Sequence, residues 1–123
     1  MRLYRLGRAL FVPLVLLLLI SMSGCSDPNW SEEKIRETQA RGDLIIGALE
    51  KYRSDTGKYP KTLEQLAPNY LVEIEPPTAG KMEWQYLSGG KNFSLYFAKG
   101  SASEPEYVRT NTSGKWSLVP TGF

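Results

Sequence analysis

Histidine is absent from this chain and cysteine occurs once. Without an imidazole neither Ser-His-Asp nor Cys-His nucleophile systems can be assembled, and the usual His-containing zinc sites are excluded as well. A single Cys permits no internal disulfide and no Cys-x-x-Cys pair. Strong charge of either sign is also missing. The 15 Lys+Arg against 13 Asp+Glu leave a balance of +2, too little for the dense basic patch of a nucleic-acid binder. No internal repeat or low-complexity tract is present, and 123 residues fit one small domain. These absences argue against catalysis and against nucleic acid as a partner.

What the chain does have is a segregated beginning. Arg2, Arg5 and Arg8 form a positive stretch, Ala9 to Ile20 is an apolar run of twelve, and Ser21-Met22-Ser23-Gly24 is small or weakly polar. Crossing a hydrocarbon core takes about 20 apolar residues. The shorter run, with Pro13 inside it, therefore reads as a secretion signal. The sole cysteine, Cys25, stands immediately after Gly24.

Met22-Ser23-Gly24-Cys25 resembles the lipobox of bacterial lipoproteins, with Met22 where Leu is commoner. The resemblance covers residues 1–25. It implies a signal peptide 1–24 cleaved between Gly24 and Cys25, diacylglycerol on the Cys25 sulfur and acylation of the freed amine. An ordinary small buried thiol is the alternative. Two or three acyl chains hold a protein stably where one is marginal, so the lipoprotein would be membrane-bound without spanning. In Gram-negative lipoproteins an Asp directly after the Cys resembles an inner-membrane retention signal. Ser26 in that place implies transfer to the outer membrane, facing the periplasm, while Asp27 one position later leaves the inner membrane open. In a single-membrane host the location would be the outer face of that membrane. Removing residues 1–24 takes away three Arg and no acid, leaving 12 basic and 13 acidic groups over 99 residues, a balance of −1.

Residues 25–30 read as the lipidated Cys and a short tether, and 31–123 as one domain. Asp27-Pro28 and Ser31, followed by Glu32 and Glu33, are both helix-start signals. Ile35, Thr38, Gly42, Ile45, Leu49 and Tyr52 recur at spacings of 3 and 4, one face of a helix from 31 to about 53. Ser31 to Asp43 contains one strong apolar residue, Ile35, whereas Leu44 to Tyr52 is mostly apolar. The expectation is that only the second half packs on a core and that the first projects as a polar stalk toward the anchor. Arg41-Gly42-Asp43 spells an adhesion tripeptide, but inside a helix its side chains diverge, and Gly42 is expected where another surface approaches.

Ser54 to Gly57 ends the helix with turn residues. Tyr59-Pro60 fixes an extended connection. Thr62 and Gln65 form a capping-box pattern for a short helix to about Ala67, stopped by Pro68. Tyr70-Leu71-Val72 is expected to pack back on the long helix. Beyond Pro76-Pro77 the period becomes 2. Met82, Trp84 and Tyr86 alternate with polar residues, Ser88-Gly89-Gly90-Lys91 turns, and Phe93, Leu95 and Phe97 alternate again. Tyr107-Val108-Arg109 and Trp116-Ser117-Leu118 supply further strands. The expected class is α+β: a long N-terminal helix on a small antiparallel β-meander of three or four strands.

The stretch Tyr52 to Leu66, with Asp55, Gly57, Tyr59-Pro60 and the Thr62-capped helix, resembles the segment after the long helix in major, G-type pseudopilins of type II secretion. The likeness extends over about residues 44–97, including a Trp-and-Tyr strand. It implies a pseudopilin-like head on the same helix-then-meander plan. Pseudopilins begin with a cleaved leader, Phe-Thr-Leu-Ile-Glu and a long apolar helix half, by which they polymerise. This chain has a lipobox and a polar proximal half instead, so the resemblance carries the head fold and not the fibre function. The calcium loop of major pseudopilins is not evident either, since Glu104 and Glu106 are present but no Asp follows Asp55.

The remaining chemistry is sparse. Glu73/Glu75 and Glu104/Glu106 are carboxylate pairs of the type acid-base hydrolysis needs across a cleft, but at a spacing of two on a strand each pair would share one surface face. Either pair alone offers too few oxygens for calcium. Asn92-Phe93-Ser94 and Asn111-Thr112-Ser113 match the glycosylation sequon. The aromatics could form a sugar- or peptide-binding strip, and a domain this small needs most of them in its core. Two readings follow. One is a lipid-anchored, non-catalytic structural or interaction module of the envelope, accessory to a secretion or pilus-like machine, with no cofactor and an envelope protein as partner. The other is a small envelope hydrolase or ligand-binding lipoprotein.

Overall fold

The computed structural model describes residues 27–101 and 103–120. The expected signal segment, Gly24 and Cys25 lie outside the described residues. Both helix-start signals are used. Asp27 accepts a hydrogen bond from the Asn29 N–H at 2.9 Å and caps a 3-10 turn, Pro28–Trp30. Ser31 then caps helix α1, Glu32–Thr56, its hydroxyl accepting from the Lys34 N–H at 3.3 Å. Glu32 and Glu33 in the first turn and Arg53 in the last complement the helix dipole. The helix runs three residues past the expected end. Its stop is Gly57, left-handed at φ 85°, whose N–H reaches the Arg53 carbonyl at 2.7 Å.

A second 3-10 turn, Leu63–Leu66, stands where the short helix was expected. Gln65 Oε1 accepts from the N–H groups of Lys61 and Thr62 at 2.7 and 3.3 Å, which secures the start of that turn. Four strands follow, β1 Gln85–Ser88, β2 Phe93–Ala98, β3 Glu106–Thr110 and β4 Ser117–Val119. They pair antiparallel in the order β1-β2-β3-β4, so the described domain is α+β with a four-stranded meander. The pairings Tyr86 with Leu95, Leu95 with Arg109, Phe97 with Tyr107 and Tyr107 with Leu118 set one face of the sheet. Period-2 alternation puts Phe93, Leu95 and Phe97 of β2 on that face, all buried.

Met82 departs from the expected strand. It lies outside β1 with a left-handed φ of 58° and is 54% exposed, so the alternation begins at Trp84. Val72 also departs. Tyr70 packs edge-on against Tyr52, with ring centroids 5.4 Å apart, and Leu71 packs on the core, but Val72 is 88% exposed.

The core under the C-terminal half of α1 is aliphatic, with Ile45, Ile46, Ala48 and Leu49 against Tyr59, Leu63, Leu66, Phe93 and Leu95. Each large side chain buried there contributes about 1.5–3 kcal/mol of transfer free energy. The expected polar stalk is corrected by what covers the N-terminal half. Thr38 is fully buried and Gly42 is buried, beneath side chains delivered by distant segments. A Cβ on Gly42 would collide with Trp116 and would lie 3.0 Å from Trp84 Cη2. Trp30, Trp84, Tyr107 and Trp116 surround Phe97 with centroid separations of 5.5 to 5.8 Å. The proximal half is therefore part of the packed domain, because small residues on the helix leave room for rings supplied by the sheet.

Candidate functional site

The expected lipidation and cleavage positions, Cys25 and Gly24, lie outside the described residues, so the structure bears on the remaining candidates. The carboxylate pairs are not brought together. Glu73 and Glu75 lie in the connection before the sheet rather than on a strand, and both are exposed. They border a shallow groove of about 220 Å³ with Arg41, Leu44, Leu71 and Val72. Glu75 is ion-paired to Arg41 Nε at 3.2 Å. Glu104 closes a turn, its N–H donating to the Ser101 carbonyl at 2.9 Å, while Glu106 opens β3 and borders a separate groove with Lys81 and Glu83. Hydrolysis across a cleft needs two carboxylates facing one another, whereas Glu73 and Glu75 border one groove, with Glu75 held by Arg41, and Glu106 borders another.

The tripeptide Arg41-Gly42-Asp43 is taken up entirely by the fold. Arg41 Nη1 donates to the Pro76 carbonyl at 2.7 Å, and its other nitrogens meet Glu37 and Glu75. Asp43 Oδ1 accepts from Trp116 Nε1 at 3.0 Å and pairs with Arg109 Nη1. About 100° of rotation per helical residue separates these directions, with Gly42 under the indoles between them. Arg109 was foreseen only as a strand residue. Its place two positions from Tyr107 marks it as inward-facing, which is the signal that it needs a helix acid. Choosing Asp43 over other acids required the tertiary structure.

Thr38 is a second polar feature not singled out by its chemistry. Its hydroxyl donates to the Lys34 carbonyl at 2.8 Å and accepts from the Thr78 and Ala79 N–H groups, both at 3.0 Å. A fully buried hydroxyl thus satisfies two loop amides and fastens residues 78 and 79 to α1.

The two sequons also meet one another. Asn111 Nδ2 donates to Asn92 Oδ1 at 3.0 Å, and Asn111 Oδ1 accepts from the Phe93 N–H at 3.1 Å.

A second depression, about 570 Å³, lies between Tyr52, Lys58, Tyr59, Pro60, Lys61 and the β1–β2 turn. Tyr59 there donates to Glu50 at 2.8 Å and accepts from Arg53 at 3.2 Å. Burial and the Glu50 hydrogen bond raise its phenol above the usual 10.0. Burial likewise raises Tyr86, which donates to the Pro60 carbonyl at 2.7 Å. These bonds hold Tyr59-Pro60 in place and leave the phenols neutral and structural. Among the described residues no group of three or more His, Cys, Asp or Glu is disposed to hold a metal, and no helix is long and apolar enough to cross a membrane.

Comparison with protein-family models, with curated proteins and with solved structures finds no match.

Proposed function

We propose that this protein is a lipid-anchored, non-catalytic module of the bacterial envelope. Acyl chains on Cys25 hold it to the membrane, and its pseudopilin-like head is an accessory of a type II secretion or pilus-like machine. The observation that carries this reading is the order of the first 25 residues: three Arg, an apolar run, small residues, then the only Cys. The helix-then-meander plan and the Tyr59-Pro60 junction are consistent with the resemblance of residues 44–97 to pseudopilin heads. An interaction role also accords with how the polar side chains are used, since Arg41, Asp43, Thr38 and Tyr59 all bond within the fold.

The test is metabolic labelling with an alkyne fatty acid. The wild-type chain takes up label and partitions with membranes, whereas Cys25→Ala takes up none and retains its signal or becomes soluble. Acyl label retained on Cys25→Ala defeats the anchor. Capture of the lipidated wild type from detergent-treated membranes, with secretion or pilus components recovered alongside it, addresses the accessory role.

A further inference from the structure

We infer that the loop around Gly80 to Met82 is a bilayer-contacting surface, with Met82 at the acyl boundary and Lys34, Lys81 and Lys99 against anionic phospholipid headgroups. This inference rests on the lipid anchor at Cys25 proposed above.

Distance comes first. Cys25 and Asp27 are separated by two residues, so their Cα atoms can be no more than about 7 Å apart. Asp27 is rooted in the domain by the turn Pro28–Trp30, whose Trp30 packs on Phe97 and Tyr107 at 5.8 and 5.9 Å. A head on so short a tether must present this end to the membrane.

The surface at that end is defined by its hydrogen bonds. The Gly80 N–H donates to the Asn29 carbonyl at 2.8 Å, which joins the loop directly to the tether. Gly80 can approach this closely because it has no Cβ. At its φ of 66° an added Cβ would collide with the Ala98 carbonyl and sit 3.0 Å from Lys99 Cα. The Lys81 N–H donates to the same Ala98 carbonyl at 3.1 Å, and Lys34 Nζ reaches Asn29 Oδ1 at 3.4 Å. The backbones of Lys81 and Lys99 therefore flank Gly80, and the Lys34 ammonium stands at Asn29, so three lysines come from three separate segments of this end. The acids at this end are Asp27, which caps the turn, Glu32 and Glu33 in the first turn of α1, Glu37 near Thr78, and Glu83 and Glu106, which border the adjoining groove with Lys81.

Met82 supplies the apolar element. The large exposed apolar side chains among the described residues are Leu44, Val72, Met82, Leu87 and Leu118. Of these, only Met82 lies on the segment bonded to the tether. Its left-handed backbone, with its N–H directed at the Ala79 carbonyl at 3.4 Å, turns the chain so that the side chain is exposed. An unbranched thioether adapts to an irregular interface. Lysines held within a Debye length of about 8 Å of a charged leaflet remain effective at physiological salt. Leu44 lies twelve residues beyond Glu32, about 18 Å along the helix, and borders its groove with Val72, so that patch stands clear of the bilayer.

The experiment uses full-length lipidated protein in vesicles of phosphatidylethanolamine and phosphatidylglycerol. Met82→Cys and, separately, Val72→Cys carry an environment-sensitive fluorophore, Cys25 being blocked by its acyl chain, and intact mass on the same samples reports acylation. Quenching by bromolipids is expected to be several-fold stronger at 82 than at 72 and to fall when Lys34 and Lys81 are changed to Glu. Lys81→Cys serves as a second labelling position should Met82→Cys fold poorly. Acylated protein with equal quenching at 82, 81 and 72 overturns the contact surface while leaving the anchor standing. Absence of acyl mass on Cys25 overturns the anchor and the surface together.

Discussion

The C-terminal half of α1 buries four aliphatic side chains of its own, Ile45, Ile46, Ala48 and Leu49, whereas the N-terminal half buries Thr38 and Gly42. Composition along the helix would make the C-terminal half core and the N-terminal half a solvent-exposed stalk. Both halves are covered. The distal half contributes bulk and receives Leu63, Leu66 and Leu95 together with the rings of Tyr59 and Phe93. The proximal half contributes a smooth strip of small residues and receives indoles and phenols from Trp84, Tyr107 and Trp116. A small residue on a helix face is thus as sound a signal of packing as a large one, provided that aromatic side chains elsewhere lack a place in the core.

Breaking the aliphatic half should have the largest effect. Leu49 is wholly buried, and Leu49→Ala is expected to cost about 2–5 kcal/mol in urea unfolding, because the transfer term and the cavity add. A cost below that range would mean that the distal half is not the main core. The proximal half is tested next by Thr38→Val, which keeps the shape and removes the acceptor for Thr78 and Ala79. The expected cost is about 1–3 kcal/mol for each N–H left unbonded, with faster amide exchange at 78 and 79 as the specific readout. Unchanged exchange would show that the rings alone hold the loop.

Two glycines on the same helix give the sharpest contrast. Gly42→Ala pushes a methyl into Trp116 and is expected to destabilise by about 1–3 kcal/mol, with a shift in tryptophan emission. At Gly47 an added Cβ meets nothing within 4 Å, so Gly47→Ala should stabilise by about 0.5–1 kcal/mol. Equal effects at both positions would erase the distinction between a covered and an open face.

The smallest effect concerns pH. Tyr59 is raised by burial and by Glu50, so above pH 10.0 the folded chain holds a proton that the unfolded chain has released. Stability is therefore complete below that pH and falls as pH rises through the folded value. Tyr59→Phe cannot ionise and should flatten the alkaline fall in urea midpoint. Tyr86, shifted the same way, keeps part of the slope.

Local chemistry was legible in the residues themselves. Asp27-Pro28 and Ser31 act as starts, Gly57 as a stop, and Phe93-Leu95-Phe97 as an inward row, because caps and side-chain periods depend on immediate neighbours. Met82 was misread as a strand residue because alternation alone cannot register a left-handed backbone. Val72 was misread because an apolar triplet does not reveal which member turns outward. The carboxylate pairs carried no information about facing, since Glu75 is engaged by Arg41, 34 residues earlier.

By itself the sequence determined the α+β class and the inward row of β2. Only the tertiary structure decided that the polar half of α1 lies under an aromatic roof, and that Arg109 and Trp116 share Asp43 across 66 and 73 residues. The reason is physical. A helix face is recognisable from its own spacing, but what covers it comes from segments whose position depends on how every strand pairs, and a partner chosen at such separations leaves no local pattern.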